Sequence, residues 1–148
     1  MSKDRNGSLE LLRERFSQNP FHRLLGLEAD CYDVEKGCIS FDMREELVGN
    51  PDFGILHGGV IATILDIEGG FILALDGAWH EKITEPLQKA KGGTINLHVD
   101  YLRPGKGKKF IASGHILHNG NKIAVVHTEL RNEQNDLIAV STGTYKVG

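Results

Sequence analysis

The chain has 148 residues, 17 Lys plus Arg against 20 Asp plus Glu, and 40% hydrophobic residues, which is the size and make-up of one compact domain (1–148) without room for a second. A net charge of −3 supplies no general attraction to nucleic acid or to an anionic membrane, so neither is an expected partner and any charged ligand needs a local patch. Residues 1–7 are followed by no apolar leader segment, and no apolar run approaches the roughly 18 residues of a membrane span, so the expectation is a soluble, cytoplasmic protein.

Residues 8–18 place Leu9, Leu12 and Phe16 at helical spacing, and Asn19-Pro20 stops the pattern, giving a short N-terminal helical extension over 1–19. Residues 27–33 and 38–44 then read as two strands around a Gly37 turn. With Glu35-Lys36 as that turn, Cys31 faces Ser40 and Cys38 faces Asp33, which argues against a disulfide. Residues 47–56 are rich in Gly, Asn and Pro and read as a loop. From 57 to 75 the chain is apolar on nearly every side over about five turns, the pattern of a helix buried inside something. Residues 76–91 are polar, contain Pro86, and read as a long, partly helical surface connection.

Four strands follow. In 94–102, Ile95, Leu97, Val99 and Tyr101 alternate strictly with Thr94, Asn96, His98 and Asp100. Strands over 109–118, 122–131 and 137–147 come next, the first two joined at Asn119-Gly120, and the set reads as an antiparallel meander. The last two look apolar on both faces, which predicts cover on both sides of the sheet, one of them from another subunit. The order predicts an α+β domain, a curved antiparallel sheet around a long central helix.

Asp66 is the most informative residue, because an ionisable group in the middle of an apolar helix costs several kcal/mol, on the order of a lost charge-bearing partner, if left unpaired. Gly59, Ala62, Thr63 and Gly70 share its face and are small, leaving a groove for a ligand chain. A buried Asp satisfied by backbone donors or a nearby His is an equally open reading at this point. Gly58-Gly59 open the helix, where unpaired N–H groups and the positive dipole end suit a carbonyl oxygen turning negative, or simply mark a turn. His115 and His118, three apart in a strand, should point to opposite faces and share no metal. No G-x-S-x-G elbow or P-loop is present, and no cofactor or metal is expected. The basic stretch 105–109 reads as a solvated turn or as a site for a phosphorylated ligand.

Taken together, Asn50, His57-Gly58-Gly59-Val60, Asp66 seven residues after Gly59, and the run from Thr94 to Pro104 resemble the hotdog-fold acyl-CoA thioesterases of the PaaI type, over about residues 20–147. The resemblance implies a hotdog fold, an acyl-CoA substrate, and a homodimer or a dimer of dimers. It implies Asp66 as general base or nucleophile and the Gly58 N–H, with Gly59 as a second donor, as the oxyanion site. Asn50 and His57 would shape that end, Thr94 would help place the water, and Gly59 and Thr63 would line the substrate groove. Arg103, Lys106 and Lys108 would hold the CoA phosphates. A non-catalytic acyl-CoA-binding hotdog protein is the alternative of another class, and a hotdog dehydratase, with its His and acid pair in a different pattern, is the nearest alternative enzyme.

Overall fold

The structure, a computed structural model, describes residues 3–31, 37–79 and 92–148. Helix α1 (Lys3–Gln18) buries Leu12 and Phe16 against the long helix α3 (Gly58–Trp79), with Phe16 edge-on to Phe71 at 5.2 Å between ring centroids. Asn19 ends α1 as the sequence predicts, but it also begins a second helix, α2 (Pro20–Leu25), that the sequence reading misses. The Asn19 side chain accepts the Phe21 and His22 N–H groups, and Pro20 occupies the first helical turn, where a missing N–H is no loss.

Strands β1 (Glu28–Cys31) and β2 (Cys38–Asp42) pair antiparallel, and the turn between them, 32–36, lies outside the described residues. Their register corrects the expected one. A bulge between Ala29 and Cys31 sets Cys31 opposite Cys38, and Ser40 faces Glu28. The segment read as a loop contains a turn of 3₁₀ helix (Glu45–Leu47) and a small hairpin of β3 (Val48–Asn50) and β4 (Ile55–Leu56). Pieces of two or three residues are too short to carry a periodic signal.

Helix α3 is the axis of the molecule. Ile61, Ile64, Leu65, Ile72 and Leu75 are buried on its sheet-facing side, each contributing on the order of 2 kcal/mol by burial. Its 21 residues from Gly58 to Ala78 are long and apolar enough to cross a membrane by length and composition, contrary to the sequence reading that no run approaches that length. Here that apolar surface meets the sheet: Phe110, Ala112, Val126, Leu130 and Ala139 join the same core cluster. The connection expected over 76–91 starts later than read, since α3 runs to Trp79, and its residues 80–91 lie outside the described ones.

Strands β5 (Gly93–Tyr101), β6 (Lys109–Asn119), β7 (Ile123–Asn132) and β8 (Leu137–Lys146) complete one six-stranded antiparallel sheet in the order β1-β2-β6-β7-β8-β5. Only β6, β7 and β8 form a meander. Strand β5 departs from the expected order, pairing with β8 at the far edge rather than with β6, its neighbour in sequence. The outer face of the sheet is also less apolar than expected. On β7 the outward set is Ile123, Val125, His127, Glu129 and Arg131, so the second apolar face is a patch rather than a layer. A bulge between Ile116 and His118 sets His115 opposite His127 and His118 opposite Val125, both on one face, which corrects the expectation of opposite faces. No cluster of three or more His, Cys, Asp or Glu with metal-holding geometry occurs among the described residues.

Candidate active site

The 3₁₀ turn and the β3–β4 hairpin deliver the chain to the start of α3. His57 anchors that start by donating its backbone N–H to Leu47 O at 2.8 Å, and its carbonyl accepts from Val60 and Ile61. The Gly59 N–H donates to the His57 ring at Nδ1, 2.8 Å. That bond requires Nδ1 to be unprotonated, so the ring proton sits on Nε2. The Gly58 N–H, in contrast, meets no acceptor among the described residues. Of the two glycines proposed as donors, Gly58 is therefore the one presenting an open N–H at the positive end of the helix. Its own carbonyl accepts from the Tyr101 hydroxyl at 3.0 Å. Asn50 lies in the hairpin ahead of this point, where its Oδ1 accepts from the Asp52 N–H at 3.0 Å, so part of its work is to hold the turn.

Two helical turns further on, Asp66 is half-buried, and its Oδ1 accepts a hydrogen bond from the Thr94 hydroxyl at 2.7 Å. Strict alternation would have turned Thr94 away from Leu97, Val99 and Tyr101. A bulge between Thr94 and Asn96 brings it to the helix-facing side with them and leaves Ile95 55% exposed. The open reading of Asp66 as satisfied by backbone donors or by a His is thus replaced by a strand hydroxyl. Along the same stripe Gly59 is exposed and Ala62, Thr63 and Gly70 are half-buried, so small residues flank Asp66 on that face. Thr63 turns its hydroxyl to Gly59 O at 2.8 Å, which leaves its methyl for the groove. Nothing lies within 4 Å of where a Cβ on Gly70 would stand.

A family model described as "Thioesterase superfamily" matches residues 53–139, a span that includes the helix N-terminus, Asp66 and Thr94. The chain belongs to the thioesterase superfamily. This thioesterase-superfamily chain is 42% identical over 146 residues to the medium/long-chain acyl-CoA thioesterase YigI of Escherichia coli K12, covering 95% of this chain and 94% of that protein. A crystal structure of a Shewanella oneidensis protein related to the thioesterase superfamily is 40% identical, with a TM-score of 0.91 over the full length of both chains. The Escherichia coli PaaI protein superposes with a TM-score of 0.75 over 97% of this chain and 94% of that one, and at 15% identity it attests the hotdog fold.

Two cavities of this thioesterase-superfamily domain lie close to α3 and to the loop before it. One, of about 300 Å³, lies between α1 and α3 and is lined by Leu12, Phe16, Ile67, Gly70, Phe71 and Ala74, with Arg15, Asn19 and His22 at the same opening. The other, of about 540 Å³, is lined by Arg103, Lys106 and Lys108 together with Glu133, Asp136 and Phe53. Leu56 donates its N–H to Gly105 O, which ties this basic loop to the start of α3. Arg103 donates to Leu137 O at 2.9 Å, and Glu133 accepts the backbone N–H groups of Lys108 and Lys109. Hydrogen bonds from its own backbone and from Lys108 hold the Glu133 carboxyl below its usual range, so this carboxylate stands as an anion beside the cavity's cations.

Three residues escaped the sequence reading. Tyr101 counted there as an apolar strand position and Tyr145 was not singled out, yet each hydroxyl reaches an α3 carbonyl. Glu68 is fully buried, and neither carboxyl oxygen makes a hydrogen bond among the described residues. Burial pushes its carboxyl well above the ordinary range, and the nearby Ile39 backbone offsets only part of that. A second carboxylate two positions from the candidate Asp66 on the same apolar helix was the available signal.

Proposed function

We propose that this protein hydrolyses acyl-CoA thioesters to free CoA and a carboxylic acid, with Asp66 as general base or nucleophile and the Gly58 N–H as oxyanion donor. The observation that carries the reading is an ionisable carboxylate, held by Thr94 among small residues, on the same helix as a Gly58 N–H that meets no acceptor among the described residues. As base, Asp66 takes a proton from water while the water oxygen bonds to the acyl carbon. The carbonyl electrons move onto oxygen and are held by the Gly58 N–H. Collapse breaks the carbon–sulfur bond, and the CoA thiolate leaves and is protonated.

Eight residues separate Gly58 from Asp66, about 12 Å along one helix, whereas a carboxylate acting on a carbonyl must come within about 3 to 4 Å of the acyl carbon, directly or through one water. A two-fold homodimer, alone or paired into a dimer of dimers, resolves this by bringing Asp66 of one subunit to Gly58 of the other. The exposed β5 edge, with Ile95 and Tyr101 each more than half exposed, supports the same reading. The apolar cavity between α1 and α3 begins one residue past Asp66 and suits an aliphatic acyl tail, in keeping with the medium/long-chain activity named for YigI. Arg103, Lys106 and Lys108 suit the CoA phosphates, and a soluble cytoplasmic setting fits such a substrate.

Incubation with an acyl-CoA chain-length series and a thiol reagent tests this reading. Free CoA should appear, fastest with medium or long chains, and Asp66→Asn should lower kcat by about 10²- to 10⁴-fold with the fold intact. Saturable binding without CoA release would make the protein a non-catalytic acyl-CoA binder, and an Asp66→Asn variant retaining most of its kcat would remove Asp66 from the chemistry.

A further inference from the structure

Tyr145, near the end of the last strand, is 5% exposed, and its hydroxyl donates to the backbone carbonyl of Asp66 at 3.1 Å. Within an α-helix that carbonyl already accepts the N–H four residues on, so the phenol occupies its second lone pair. The turn following Asp66 contains Gly69 and Gly70, two poor helix formers in succession and a place where a helix readily bends. A Cβ on Gly69 would fall on the Tyr145 hydroxyl, and one on Gly143 would stand 2.8 Å from the ring. Both glycines thus leave room for this one side chain. Tyr145 is also the cross-strand partner of Thr94, whose hydroxyl holds the Asp66 carboxylate. Adjacent strands therefore grip the carbonyl and the carboxylate of the same residue.

We infer that Tyr145 is a positioning residue for Asp66, its hydroxyl pinning the glycine-weakened turn so that the carboxylate stays aimed into the groove. The inference rests on the reading of Asp66 as the reacting carboxylate. A phenol is suited to the task because it remains a donor: burial first, and then the Asp66 charge, push its ionisation far above its ordinary range. Phenylalanine would fill the same slot and pin nothing.

Tyr145→Phe keeps the ring and removes only the hydroxyl, so the fold should survive, checked by thermal melting. Expected is a fall in kcat of about tenfold with KM within about twofold. In an Asp66→Asn background the same change should leave the residual rate unaltered, because the group it positions is already disabled. Gly69→Ala, which displaces the hydroxyl without removing it, should reproduce the kcat loss at unchanged KM. An unchanged kcat in Tyr145→Phe, a loss confined to KM, or an equal proportional loss in both backgrounds would overturn the inference. Failure of the underlying reading looks different, since Asp66→Asn would then itself remain active.

Discussion

Two carboxylates, Asp66 and Glu68, lie two residues apart on α3, which turns them roughly 200° from each other about the helix axis. Asp66 thereby meets a hydroxyl donor on the half-buried face, whereas Glu68 enters the core with neither oxygen hydrogen-bonded among the described residues. Because burial raises the folded-state pKa of Glu68 above its ordinary 4.5, the native chain binds more protons than the unfolded one between those two values. Stability associated with this group is present below about pH 4.5 and is lost as pH rises through the folded-state value. Glu68→Gln keeps the shape and cannot ionise, so its melting temperature should decline less between pH 5 and pH 9 than that of the wild type, with kcat unchanged. Parallel melting curves would assign the alkaline loss elsewhere. Asp66 and Gly58 were legible in the sequence because residue type and position in one helix define them. Thr94 was named only through family resemblance, and Tyr145 was invisible because its partner lies 79 residues away and a bulge sets its neighbour's direction.

Among elements, those with a long period were readable and those set by a single irregular residue were not. Helix α3 and strands β5 to β8 lie within a few residues of the expected bounds, since each carries enough side chains to show a pattern. The second helix after Asn19, the Cys31–Cys38 register and the shared face of His115 and His118 depend on a cap and two bulges, which leave no periodic trace. The loop between β5 and β6 was left between two readings, a solvated turn and a site for a phosphorylated ligand, and it lines a cavity together with Glu133 and Asp136. Replacing Arg103, Lys106 and Lys108 together by Ala should raise KM for acyl-CoA about tenfold with kcat nearly unchanged, the effect shrinking at high salt. A KM equal to that of the wild type at low salt would return this segment to the status of a polar turn. Melting temperatures should accompany the kinetics, because Arg103 also donates to Leu137 O.

For the molecule as a whole, the α+β architecture followed from element order, but the strand order did not, because hydrophobic pattern identifies strands without naming their neighbours. The outward positions of β7 also include His127, Glu129 and Arg131, so the case for a partner subunit now rests on the β5 edge and the distance between Gly58 and Asp66 rather than on a bare sheet face. Mixing Asp66→Asn subunits with subunits disabled at Gly58 should restore partial activity, because some heterodimers then contain one intact site. No recovery despite demonstrated subunit exchange, or full activity in a verified monomer, would place the whole site within one chain.

The pairing of β5 with β8 has a consequence for how the chain acquires its site during synthesis. Strand β5 leaves the ribosome some forty residues before the only described strand it bonds to, and β6 and β7 must be laid down between them. Until β8 arrives, Thr94 has no sheet to hold it against Asp66, and Tyr145 does not yet exist to pin the helix. The two contacts to Asp66 are therefore among the last to form, and a nascent or truncated chain ending before Leu137 would possess Asp66 without Tyr145 and without the β8 pairing of Thr94. Only a chain translated to its last strand can hold Asp66 from both sides.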